Sequence, residues 1–153
     1  MCIRDSDNRY PSKKNVTCFM SVLVYDIFDI DELHMSYTID FQITLKWLDN
    51  RIVFRNLKPT HYENKLEDLE IGQIWTPKLY IRNSYNDFVE AGQKSNYPGK
   101  GIFGSVLIHQ KGSSQQNELS EFDEDYLYPG NENPISMVNY FVIKLGCKID
   151  LKW

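Results

Sequence analysis

Hydrophobic and polar residues alternate most regularly over MSYTIDFQITLKW, residues 35–47. Met35, Tyr37, Ile39, Phe41, Ile43, Leu45 and Trp47 take the odd positions, and Ser36, Thr38, Asp40, Gln42, Thr44 and Lys46 the even ones. A period of two sends successive side chains to opposite faces of a strand, whereas a helix would scatter them around its circumference. The stretch therefore predicts an antiparallel strand with one buried face. Residues 135–150 repeat the pattern, with Ile135, Met137, Phe141, Ile143, Leu145, Cys147 and Ile149 on one parity, interrupted by Asn139.

Other segments carry weaker patterns. VTCFMSVLVYDIF (16–28) is apolar on both parities, which suits a strand covered on both faces or a twisted strand crossing the core. DIDELH is a polar connection, Leu48-Asp49-Asn50 reads as a turn, and Arg51–Phe54 resumes a short strand. Residues 56–70 have room for one helical turn, and Pro77 breaks any helix in GQIWTPKLYIRN. IFGSVLIHQ (102–110) reads as a strand, and residues 111–134, rich in Gly, Ser, Gln, Asn and acids, as a long inserted loop. Short strands with almost no helix predict an all-β antiparallel sandwich. The domain expectation is an N-terminal segment, 1–15, whose opening MCIRDS looks like translated adapter sequence, followed by one incomplete sandwich over 16–153.

Composition narrows the function classes. A chain of 153 residues suits one domain, and its 42% hydrophobic content argues against disorder. The formal charge of −4, with both signs interspersed, gives no footprint for nucleic acid or a polybasic membrane anchor. No stretch approaches the ~18 apolar residues of a membrane helix, and MCIRDSDNRY lacks the apolar segment of a signal peptide. Cys2, Cys18 and Cys147 leave one cysteine unpaired in any arrangement. The sequon Asn15-Val16-Thr17 makes Asn15 a candidate glycosylation site.

Candidate chemistry is sparse. His34, His61 and His109 are far apart in sequence and read as surface or loop residues, outside any zinc or nucleophile motif. PGKGIFG lacks the Lys-Ser/Thr ending of a phosphate loop, and the acids of SEFDED lack calcium-loop spacing and read as a solvated loop. Neither an enzyme nor a metal or cofactor site is expected, and a hydrolase or lectin on the same architecture is disfavoured for want of a constellation.

Three ordered stretches then change the reading. YTIDFQITLKWLDNRIVF carries Trp47, Asp49 and Arg51 in a W-x-D-x-R pattern; IWTPKLYIRN carries Trp75 and Pro77; YFVIKLGCKIDLKW carries Cys147, Asp150 and Leu151. Together they resemble the extracellular ligand-binding domain of the Cys-loop, or pentameric, ligand-gated ion channels, with divergent arthropod-type subunits the nearest in character. Lys78 departs from the Asp usual after Trp-x-Pro.

The resemblance implies a β-sandwich that binds a small neurotransmitter-like ligand between homologous subunits of a pentamer, on the outer side of the cell membrane, and drives a pore in its own transmembrane domain. Ligand-facing positions map to Tyr80 and Arg82 on one side of the cleft. Gln42, Thr44, Val138 and Tyr140 map to the other side, where Gln42 replaces a common aromatic and Thr44 a frequent Arg. Asp31, Glu32, Leu33 and His34 match the loop that couples to the pore. Cys147 matches the first half of the family disulfide, whose partner would lie past Trp153, so the resemblance implies a truncated domain. A soluble secreted binding protein of the same fold is the alternative. By parity Trp47 is core packing, and Asp49 with Arg51 is expected to fix a turn.

Overall fold

The computed structural model describes residues 16–81, 89–90, 102–116 and 125–146. The described chain is all-β, with one 3-10 turn, His61–Glu63, and one turn of helix, Asp68–Ile71, inside the segment expected to hold helix. Strands β1 (Cys18–Asp31), β2 (Ser36–Trp47), β6 (Ile102–Ile108) and β9 (Ile135–Gly146) form one sheet in the order β1-β2-β9-β6. A second sheet joins β3 (Val53–Arg55), β8 (Tyr126–Pro129) and β7 (Gln115–Gln116), and β4 (Tyr80–Ile81) pairs with β5 (Val89–Glu90). The residues cluster into two compact units, one from 16–20, 45–77, 105–116 and 125–137, the other from 21–44, 78–81, 89–90, 102–104 and 138–146.

In the first unit, Leu45, Trp47, Phe54, Val106, Ile108, Tyr128 and Ile135 bring apolar side chains of both larger sheets into one core. Trp47 is 1% exposed, as its parity predicts, and meets the edge of Trp75 at 6.2 Å, which ties the Trp-Thr-Pro segment to the core. The Asp49–Arg51 turn also forms as expected. The Arg51 Nε donates to Asp49 Oδ1 (2.8 Å), its Nη2 to Oδ2 (2.5 Å), and its backbone N to Oδ1 (3.1 Å). This fork holds the Arg51 guanidinium above its ordinary pKa, chiefly through the hydrogen bonds to Asp49.

Four expectations need correction here. The 111–134 region is not a plain loop. Its residues Gln115–Gln116 and Tyr126–Pro129 are strands, and the register Val53–Pro129, Phe54–Tyr128, Arg55–Leu127 fastens β8 to β3. Composition hid them because short strands are held by partners rather than by their own propensity. Asp125 is not part of a solvated loop: it is buried, accepts from Asn56 Nδ2 (3.0 Å) and pairs with Arg55 (3.4 Å). His61 and His109 do meet, their rings stacked 4.8 Å apart, and His109 is half-buried with Nε2 2.8 Å from Ser136 Oγ.

The fourth correction concerns β1, which is covered on neither face. Phe19, Met20, Val22, Leu23, Val24, Tyr25, Ile27 and Ile30 are all exposed, on an edge strand of its sheet.

The second unit is built on alternation. Phe41 and Ile43 of β2 and Phe141 and Ile143 of β9 are buried, with the two Phe rings stacked at 5.2 Å. The stripe is shorter than its sequence pattern. Met35 is an exposed turn residue with φ 46°, Tyr37 and Ile39 are half-buried, and Ser36 is buried. Asn139, the interruption in the β9 stripe, is 1% exposed, and its side-chain amide has no hydrogen-bond partner among the described residues.

Two stability outcomes follow from the first unit. A Cβ on Gly130 would collide with the Asp49 carbonyl oxygen and stand 2.8 Å from that of Ile52, to which Gly130 N donates at 2.8 Å. Gly130→Ala is expected to lower unfolding stability by about 1–3 kcal/mol, as overpacking against backbone does; urea midpoints of the two proteins measure it, and equal midpoints would refute the close approach.

His109 is held neutral down to about 4 by burial first, then by the charges of Lys46, His61 and Lys111. An unfolded imidazole takes its proton near 6.5. Its contribution is therefore complete above that value and drains away as pH falls from 6.5 through about 4. Denaturation midpoints across this window should fall less steeply for His109→Gln than for the parent chain; parallel profiles would refute the assignment.

Candidate ligand-binding face

Five of the expected ligand-facing residues lie in the second unit, and the core decides which way four of them point. Because Phe41 and Phe141 stack on one face of β2 and β9, the alternate residues project from the opposite face. Gln42 and Thr44 on β2 and Val138 on β9 are half-buried there, and Tyr140 is 40% exposed beside the exposed Val142. Tyr80 is exposed at the start of β4, on a separate two-stranded ribbon. Arg82 lies outside the described residues, as do Cys147 and Asn15.

A hydrogen-bonded row organises this face. The Tyr25 hydroxyl donates to Gln42 Oε1 (2.8 Å), and Gln42 Nε2 donates to Thr44 Oγ1 (3.0 Å). The Gln42 amide is thereby fixed, keeping one N–H and one lone pair for other partners. Tyr25 went unread in the sequence. Because β1 is apolar on both parities, nothing in its pattern says which residues share a face with Gln42, and only the strand pairing does.

The expected coupling segment is a tight turn between β1 and β2. Asp31 accepts from the His34 backbone N (3.0 Å) through Oδ1, and its Oδ2 lies 2.7 Å from His34 Nδ1. Those hydrogen bonds, first the backbone one and then the side-chain one, hold the Asp31 carboxyl below its ordinary pKa. Glu32 is exposed, and Leu33, with its side chain 93% exposed, stands at the tip.

Among the described residues no cluster of three or more His, Cys, Asp or Glu could hold a metal ion, and no helix is long and apolar enough to cross a membrane. The face offers π surfaces, a fixed amide and a hydroxyl. Such groups can hold a small polar or cationic molecule.

Comparison with known proteins agrees with this architecture. Residues 5–99, more than half of the chain, match the family model of the neurotransmitter-gated ion-channel ligand binding domain. The acetylcholine-gated chloride channel subunit acc-2 of Caenorhabditis elegans is 26% identical over 109 residues, 67% of this chain and 23% of that protein. The gamma-aminobutyric acid receptor subunit gamma-1 of Rattus norvegicus is 35% identical over 63 residues, 41% of this chain and 13% of that protein. Subunit beta-4 of the same receptor class from Gallus gallus is 32% identical over 76 residues, 48% of this chain and 14% of that protein. The aligned chain thus spans less than a quarter of the length of each of these relatives. The all-β fold, the Trp47–Asp49–Arg51 turn and the family match together place this chain in the neurotransmitter-gated ion-channel ligand binding domain family.

Proposed function

We propose that the chain is the extracellular ligand-binding and gating module of a pentameric neurotransmitter-gated channel subunit. The observation that carries this reading is the row Tyr25–Gln42–Thr44 on the sheet face opposite the Phe41–Phe141 stack, with Tyr140 on that same face. In this reading Gln42, Thr44, Val138 and Tyr140 form one side of a cleft between subunits, and Tyr80 with Arg82 serves the other side of the neighbouring cleft. The ligand is a small amine or amino-acid transmitter, a class supported by the relatives named for acetylcholine and gamma-aminobutyric acid. Tyrosine rings attract its cationic end. With Thr44 where a carboxylate-binding Arg is frequent, recognition on this side rests on neutral dipoles.

Gating in this reading is a two-state shift. A ligand that binds one state more tightly moves the population toward it, and the Asp31–His34 turn carries the change to a transmembrane domain. Leu33 is the side chain on that turn best placed for apolar contact, and Asp31 with His34 stiffens it. Cys147 pairs with a later cysteine to close the family loop, and Asn15 carries a glycan on the extracellular side.

Current recordings from the full-length subunit in oocytes, with acetylcholine and γ-aminobutyrate as probes, test both halves. Gln42→Ala and Tyr140→Ala should each raise the half-activating concentration about tenfold, the size of a typical contact loss, while Leu69→Ser, on the exposed helical turn of the first unit, leaves it unchanged. Unaltered responses in both face variants would sink the binding assignment, and secretion as a soluble protein without current would favour the alternative of a soluble binder. Leu33→Ala should lower the maximal current at saturating probe with matched surface expression; an unchanged maximum removes this turn from coupling.

A further inference from the structure

The first unit holds a half-open cavity of about 580 Å³ that uses none of the residues assigned to the candidate ligand face or to the Asp31–His34 turn. That volume lies within the range that encloses small organic ligands. Phe19, Trp47, Leu48 and Pro134 supply its apolar wall. Trp47 itself is 1% exposed and braced edge-on by Trp75, yet its indole Nε1 has no hydrogen-bond partner among the described residues.

The charged lining is unequal. Lys46 and Lys111 stand against a single carboxylate, that of Glu132. Glu132 is drawn aside: its Oε2 would be only 2.5 Å from a Cβ at Gly112, so its carboxylate rests against a backbone position where no side chain intervenes. The Lys111 backbone is fixed in turn, since its N and that of Gly112 both donate to Asn133 Oδ1 (2.9 and 3.1 Å). Neither ammonium has an ion-pair partner among the described residues. Their positive field reaches the half-buried His109, whose proton it helps to exclude after burial.

We infer that this cavity binds a small amphipathic carboxylate, its apolar body against Trp47 and Leu48 and its carboxylate toward Lys46 and Lys111. Two lysines complement an anion, whereas a cationic ligand would meet like charge at two points of the rim. The site is separate in its residues from the proposed transmitter face and does not rest on that reading.

Titration of the 153-residue chain, labelled with ¹⁵N-tryptophan, tests the inference through the Trp47 indole N–H resonance, assigned with Trp47→Phe. The probes are phenylacetate, its neutral analogue phenylacetamide and the cation phenethylammonium. The expected result is a saturable Trp47 shift with phenylacetate, at least about fivefold weaker with phenylacetamide, as loss of contacts to two exposed ammoniums implies. Lys46→Gln with Lys111→Gln should weaken phenylacetate by a similar factor while the Trp75 resonance stays in place. No Trp47 shift, equal affinity for acid and amide, or tighter binding of phenethylammonium would each overturn the proposal, and the probe series on the unaltered chain is decisive without any variant.

Discussion

The period-two geometry of β2 is the constraint from which the candidate face follows. Phe41, Ile43, Leu45 and Trp47 are buried because they share one side of the strand, and that leaves Gln42, Thr44 and Lys46 no choice of direction. A slip of one residue would bury two polar side chains and an ammonium and turn Trp47 outward. The Phe41–Phe141 stack transfers the same choice to β9, so Tyr140 and Val142 emerge on the side of Gln42. Buried residues therefore determine which side chains are presented on the opposite face.

The first unit relies on a different device. Its connections lack ladder partners, so side-chain amides satisfy their backbone groups. Fully buried Asn133 accepts from Lys111 N and Gly112 N and donates to the Pro129 carbonyl (2.8 Å). Asn64 receives Lys58 N through Oδ1 (2.8 Å) and donates to the Lys58 and Ile108 carbonyls (2.8 and 3.3 Å). Each amide joins segments distant in sequence, at small net gain per bond but at large cost if one is left unmade. Asn139 and Ser36 of the second unit show the contrast: both are buried, and the Asn139 side-chain amide and the Ser36 hydroxyl have no partner among the described residues.

How far the sequence could be read depended on where the stabilising contact lies. Alternation placed the β2 and β9 faces because that signal is local and repeats at seven apolar positions of one parity. The Asp49–Arg51 fork was legible because both partners sit in one turn. The strands inside 111–134 were not, since β7 and β8 exist only through pairing with each other and with β3, some seventy residues away in sequence. His61 and His109 likewise meet through tertiary packing alone. Gln42 and Thr44 could be chosen by parity, but the Tyr25 hydroxyl that fixes the Gln42 amide could not.

β1 shows the limit of periodicity most sharply, because an apolar run says that a strand forms and not what covers it. Exposed edges are ordinarily guarded by charge. In β1 the guards are Asp26, Asp29 and Asp31, all in the half that leads into the Asp31–His34 turn. The half from Cys18 to Tyr25 carries no charge, and partial desolvation raises the pKa of the exposed Cys18 thiol. A strand with one charged and one uncharged half resists pairing along the first and invites it along the second. The uncharged half, where Phe19, Met20, Val22 and Val24 are exposed, is therefore the stretch of this strand edge least guarded against pairing.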